Sequence, residues 1–289
     1  MSWRTVVISN SAKLDYKMGY MIVRGSEIKK IYMSEIALLL IESTAVSITA
    51  SLLSELTKQK VKVIFCDEKR NPSAELVPYY GSHDTSAKVR TQVSWEEEIK
   101  RMVWTEIVSE KIRNQKKLLE IAGKSQEALL LQTYLETIEP GDVTNREGHA
   151  AKVYFNGLFG RDFSRTSDIP FNAALNYGYG ILLSAVNREI VSNGYITQLG
   201  ISHNNMFNPF NLGSDLMEPF RVFVDRQVFE MAPVKLEQQE KLELVNLMNL
   251  EVKIDGKNQY LLNAVKIYCR SVFDAINDQD ISLLKFCQW

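Results

Sequence analysis

The chain has 289 residues, 45% of them hydrophobic and 24% charged, the profile of a folded protein long enough for two domains. Its 34 basic and 35 acidic side chains leave a formal charge of -1, which excludes bulk attraction of nucleic acid by the whole-chain field. Any DNA contact must then come from local basic patches or from a surface completed by oligomerisation. The longest apolar run, residues 36–41, ends at Glu42 and is far short of a bilayer span, so no membrane association is expected. The N-terminus lacks a charged segment followed by a long apolar core, and no secretory signal is expected. Cys66, Cys269 and Cys287 form no CxxC pair and read as reduced thiols of a cytoplasmic protein, without a cysteine-based zinc site.

The first eighty or so residues are strand-like. Residues 4–9 are rich in β-formers, and residues 14–23 spell two strands about a turn near Met18-Gly19. Residues 27–32 and 36–41 are further strands, residues 48–59 carry helical spacing through Leu52, Leu53 and Leu56, and residues 61–66 read as a buried strand. The pattern changes after Tyr80, and the polar stretch 81–86 reads as a linker. Beyond it Ile99, Val103 and Ile107 repeat at i+4, with Lys111, Arg113, Lys116 and Lys117 near the end of the same helix, where cations suit the dipole. Helical patterns follow at 125–135, 147–158, 171–192, 219–231 and 261–276. The expected fold is α+β: a β-rich, sandwich-like unit over residues 1–84, then a larger α-helical unit over 85–289.

Three positions stand out chemically. Thr144-Asn145-Arg146-Glu147 fits the capping-box spelling, which gives Glu147 a structural role. Yet Glu147 shares a helix face with Ala151 and Tyr154, in a segment where Arg146, Lys152, Arg161 and Arg165 outnumber the acids. His203 lies in an Asn-rich loop, the kind of segment that commonly holds ligands. Glu218 precedes Pro219, so a helix starts or kinks there; Asp215 and Glu218 are either N-terminal caps or groups approaching one face. Two carboxylates and an imidazole form a mixed oxygen and nitrogen donor set that suits Mg²⁺ marginally and Mn²⁺ well, ions that polarise phosphodiesters. No Walker, Rossmann-glycine, HExxH, GxSxG or Cys/His zinc pattern competes.

At these residues the sequence resembles the CRISPR adaptation integrase family, the universal spacer-acquisition integrase, in its type II-A branch. The likeness rests on Asn145-Arg146-Glu147-Gly148-His149-Ala150-Ala151 with Tyr154-Phe155, and on Asn172-Ala173-Ala174-Leu175-Asn176-Tyr177-Gly178-Tyr179. It continues in His203 followed by Asp215-Leu216-Met217-Glu218-Pro219-Phe220-Arg221 and Asp225, and in Trp3-Arg4-Thr5-Val6-Val7 and Val63-Ile64-Phe65-Cys66-Asp67. Many relatives carry aspartate where this chain has Glu218, and proline where it has Val222.

The resemblance implies a metal-dependent endonuclease and integrase that inserts spacer DNA into the CRISPR array by transesterification. It implies a homodimer joined through the N-terminal unit, with one Mg²⁺ or Mn²⁺ site per subunit built from Glu147, His203 and Glu218 and supported by Asp215. It also implies a small second adaptation protein bridging two dimers, together with the effector nuclease and a ring-forming DNA-end protein. Arg146, Lys152, Arg161 and Arg165 are the candidate DNA contacts. The same residues leave open a hydrolytic nuclease, a non-catalytic DNA scaffold in which Glu147 and Glu218 are caps, and a structural homodimer.

Overall fold

The computed structural model describes residues 4–78 and 82–289; Trp3, Tyr80 and Gly81, which entered the sequence reading, lie outside them. Strand β1 (Arg4–Ile8) is followed by the hairpin β2 (Ala12–Lys17) and β3 (Tyr20–Arg24), then β4 (Ile28–Tyr32), β5 (Ile36–Ile41) and β6 (Val46–Ile48). Helix α1 (Ala50–Lys58) precedes β7 (Lys62–Cys66) and β8 (Pro72–Glu75). One four-stranded sheet runs β1-β5-β7-β8 and a second runs β4-β3-β2-β6. The turn near Met18-Gly19 is real: both residues have positive φ and β2 pairs antiparallel with β3.

Strand β5 explains why its sequence is an unbroken apolar run. It is parallel to both neighbours, β1 and β7, and every one of its residues is buried. Leu39 and Ile41 face a core shared with α1 and the second sheet, through Leu14, Met21, Leu52 and Leu56. Leu38 and Leu40, on the opposite face, join the helical core instead. A strand covered on both sides has no reason to alternate.

The rest is mainly helical: α2 (Thr85–Val93), α3 (Glu97–Ile121), α4 (Ser125–Glu136), α5 (Arg146–Phe159), α6 (Pro170–Ser192), α7 (Asn211–Met217), α8 (Arg221–Met231), α9 (Gln238–Asn246) and α10 (Leu261–Asn277). Strands β9 (Glu251–Ile254), β10 (Lys257–Tyr260) and β11 (Cys287–Gln288) form a third small sheet that the sequence pattern did not reveal. Thr85 and Ser86, read as linker, open α2, because the Thr85 hydroxyl bonds the Ser82 carbonyl at 2.8 Å and starts the turn. A 3-10 turn, Glu218–Phe220, joins α7 to α8. Among the described residues no helix is long and apolar enough to cross a membrane.

Helices α3 and α6 carry the core. On α3 the buried stripe runs through Ile99, Val103, Ile107, Lys111, Asn114 and Leu118. On α6 it includes Leu175, Tyr179, Leu182, Val186 and Ile190. Gly178 lets α8 approach α6: a Cβ there would stand 2.5 Å from Val224 Cγ1. Helix propensity alone predicts that Gly178→Ala stabilises the chain by about 1 kcal/mol. Overpacking against α8 predicts a net loss of about 1–3 kcal/mol instead. Urea denaturation decides the sign, and a stabilised variant would disprove the close α6–α8 packing that positions Glu218.

Candidate functional site

Glu147 reaches its position by a start of α5 that differs from the capping box. The cap is Asn145, in the left-handed region at φ 53°, whose side chain accepts from the Gly148 amide. Buried Asp142 accepts from the amides of Arg146 at 2.7 Å and Glu147 at 3.0 Å. With those N–H groups satisfied, the Glu147 carboxylate is free to turn toward α3, and the Thr144 hydroxyl is buried without a hydrogen-bond partner. The cap reading of Glu147 is therefore set aside.

Glu218 lies in the 3-10 turn between α7 and α8, only 3% exposed. Asn211 opens α7; it is buried and donates to the carbonyls of Gln198 and Asn205, both at 3.0 Å. Helix α7 thus precedes Glu218, which is a junction rather than a first cap. Asn114 of α3 donates to the Pro219 carbonyl at 3.2 Å and fixes the turn. Arg221 Nε meets Glu218 Oε1 at 2.8 Å, while its guanidinium lies 4.6 Å from the Tyr179 ring centre.

The residue that joins these parts is Lys111, which the sequence reading placed among cations suiting a helix end. It is buried, and its ammonium sits 2.6 Å from Glu147 Oε1 and in contact with Glu218 Oε2. Burial alone would lower the lysine pKa, but Glu218 and Glu147 outweigh it and hold the value above the ordinary 10.5. Burial likewise works against the Glu218 carboxylate, and Arg221 and Lys111 overcome it, keeping its pKa below 4.5. The i+4 ladder Ile99, Val103, Ile107 continues to Lys111, and that register was the available signal.

His203 stands beside this cluster on the loop before α7. Its Nδ1 pairs with Asp215 Oδ1 at 2.5 Å, and the edge of its ring meets Trp104 with centroids 5.7 Å apart. Asp215, fully buried, also accepts from the backbone amides of Ile201, Ser202 and His203 at 2.6, 3.0 and 3.1 Å. Asp215 thus orients the imidazole and leaves Nε2 available. Among the described residues no three His, Cys, Asp or Glu side chains lie close enough to share one ion. Lys111 stands between the two carboxylates instead. The two carboxylates that hold this ammonium already surround a cation, and with the nearby imidazole they are oxygen and nitrogen donors of the kind a divalent ion takes.

Of the basic candidates, Lys152 and Arg161 are exposed. Arg165 is engaged with Asn172 at 2.5 Å and Asn176 at 2.7 Å, and Arg146 packs its guanidinium 5.6 Å from the Tyr134 ring centre. Both are half-buried, and Arg165 is bonded to two side chains while the Arg146 Nε has no hydrogen-bond partner.

The hydrogen bond to Asp215 raises the His203 pKa above 6.5, against the lowering effect of burial. The stabilisation from this pair is complete below about pH 6.5 and is lost as pH rises through the raised value. In Asp215→Asn the imidazole should titrate at lower pH than in the unaltered protein, read by NMR of the ring protons. Stability should fall by about 1–3 kcal/mol as three backbone donors lose their carboxylate. An unmoved midpoint would uncouple Asp215 from His203.

Comparison with known proteins gives the family of the chain. Residues 5–246 match the family model described as CRISPR associated protein Cas1. The CRISPR-associated endonuclease Cas1 of Neisseria meningitidis serogroup C is 32% identical over 291 residues, covering 99% of this chain and 96% of that protein. A casposase bound to its integration product has the same fold with a TM-score of 0.77 at 18% identity, over 97% of this chain and 92% of that one. A partial Cas6-RT-Cas1–Cas2 complex matches at 0.67 and 18%, over 98% of both chains. With the family model spanning most of its length and a full-length relative at this identity, the chain belongs to the Cas1 family of CRISPR-associated endonucleases and integrases.

Proposed function

We propose that the Lys111 cluster is the strand-transfer site of a spacer integrase, with Glu147, His203 and Glu218 as the ligands of a divalent ion, Mg²⁺ or Mn²⁺. The observation that carries this is the convergence of two carboxylates from separate elements on one cation, beside an imidazole whose outer nitrogen is fixed by buried Asp215. When bound, the ion supplies Lewis-acid polarisation of the phosphodiester and offsets developing charge. The chain's own residues do the positioning. Asp215 holds the imidazole by Nδ1 with Nε2 outward, Arg221 keeps Glu218 ionised, and Asn114 holds the turn that carries Glu218.

In the proposed reaction the 3'-hydroxyl of the incoming DNA attacks a phosphodiester at the repeat boundary. A new O–P bond forms, the bond to the old 3'-oxygen breaks, and the proton lost by the attacking hydroxyl is balanced by one gained on the leaving oxygen. One phosphodiester replaces another, so the step is near energy balance and should run backwards.

The DNA is held mainly through its phosphates. Lys152 and Arg161 are the better contacts because they are exposed, whereas Arg146 and Arg165 are half-buried and Arg165 is bonded to Asn172 and Asn176. The partner set follows the resemblance: a homodimer joined through the N-terminal β-rich unit, with a small second adaptation protein bridging two dimers, in the cytoplasm. The Cas1–Cas2 complex among the structural neighbours supports that bridging partner. Placement in the type II-A branch, with its effector nuclease and ring-forming DNA-end protein, rests on the motif likeness. The Neisseria relative shares the family and the length without fixing the branch.

The test is a branched DNA resembling a half-integrated spacer, incubated with the chain and Mn²⁺, Mg²⁺ or EDTA. Resealing that needs metal and drops on the order of 10²-fold or more in Glu147→Gln, His203→Ala and Glu218→Gln supports strand transfer. Cutting without resealing moves the site to hydrolysis. Binding without reaction in either ion reduces the chain to a scaffold. Lys152→Ala should also weaken DNA binding while reducing the salt slope by about 1. An unchanged slope removes Lys152 from the phosphate contacts.

A further inference from the structure

The resident cation of the site is part of the protein. Lys111 projects from the apolar stripe of α3, and its ammonium bridges a carboxylate of α5 and one in the turn between α7 and α8. With Arg221 on the far oxygen of Glu218, two carboxylates meet two cations and the cluster is balanced in charge. A lysine suits a replaceable position: its charge is a single point at the end of a flexible four-carbon stem, whereas an arginine fork would lock both carboxylates. Apolar residues in place of the whole cluster would serve the fold as well, so these buried charges point to a role besides folding, although removing Lys111 alone would leave Glu147 and Glu218 short of a partner.

We propose that Lys111 is an internal counter-ion that holds Glu147 and Glu218 in place without metal and is exchanged for the divalent ion on loading. This rests on the reading of Glu147, His203 and Glu218 as ligands. The exchange has two consequences. It sets a competition that weakens divalent-ion binding by the free protein. It also releases a lysine ammonium next to a site that now carries excess positive charge, the condition for receiving a DNA phosphodiester. Lys111 is thus a positioning residue, acting through the carboxylates it holds.

The first measurement is a Mn²⁺ titration of the full chain without DNA, following the electron paramagnetic resonance signal of free Mn²⁺ and the thermal midpoint. Lys111→Met, which keeps the stem and removes the charge, should melt lower than the unaltered protein without metal. It should also bind Mn²⁺ at a concentration at least about tenfold lower, about 1.4 kcal/mol, with a larger thermal shift. Lys111→Arg should bind no more tightly than the unaltered protein. Equal midpoints in all three overturn the exchange while leaving the ligand reading intact. No Mn²⁺ binding by any of them overturns both. The second measurement needs no variant: amine-reactive labelling of the unaltered chain, read by peptide mass spectrometry. Lys111 should be protected without Mn²⁺ and label faster with it, and protection unchanged by saturating Mn²⁺ would also overturn the proposal.

Discussion

Placing carboxylates in a protein interior is costly unless matching charge comes with them, and the helical part of this fold is organised around that requirement. Glu218 is almost fully enclosed, so both of its oxygens must be met: one by Arg221, the other by Lys111. Lys111 can arrive there only if α3 runs through the core with a charged residue on its buried face. That single placement fixes the direction of α3, the approach of α5, and the path of the chain from α7 into α8. Asn114, one turn further along α3, then ties Pro219 to the same helix, so the turn carrying Glu218 cannot move independently of Lys111.

A second polar layer lies behind the first. Asp225 on α8 accepts hydrogen bonds from Tyr154 of α5, at 2.9 Å, and from Tyr179 of α6. Burial pushes the Asp225 pKa up to about 6, against the lowering effect of both tyrosines. The Tyr179 ring lies beside the Arg221 guanidinium, so the path Glu218–Arg221–Tyr179–Asp225–Tyr154 links three helices through groups that are each paired. Arg165 extends it, stacking near Tyr179 and Phe155 while bonding Asn172 and Asn176. Satisfied polar networks of this kind fix register more sharply than apolar packing does. Arg165, a candidate DNA contact in the sequence, is tied into this network by two asparagines and two aromatic rings.

Much of the fold could be read from spacing. The Met18-Gly19 turn, the doubly buried β5 and the long helices α3, α5, α6 and α10 follow from apolar periodicity and turn residues. What failed did so for local reasons. Helix α7 opens with Asn211, Gly213 and Ser214, a composition that reads as loop, and it is helical because buried Asn211 ties the preceding segment to it. The third sheet has strands of two to four residues, too short for a period to register. At Glu147, four residues spelled a capping box, but Asp142 and Asn145 took the amides first. The ligand candidates were therefore legible as residues, while their roles were decided by neighbours that lie far off in sequence.

Lys111 shows what such a reading can still recover. Charges near a helix end are ordinary, and Arg113 and Lys116 fit that description, pairing with Glu110 and Glu120 of the same helix, while Lys117 lies over the Trp289 ring. Lys111 differs because it continues the i+4 register of Ile99, Val103 and Ile107, all buried. An apolar ladder that takes in a lysine, with Asn114 and Gln115 also buried before it returns to leucine at position 118, is locally inconsistent with simple core packing. The inconsistency resolves only if an opposite charge waits inside, and a buried acid in turn demands its own explanation. The break in the pattern, more than any motif or net charge, connects the long central helix to the chemistry of the site.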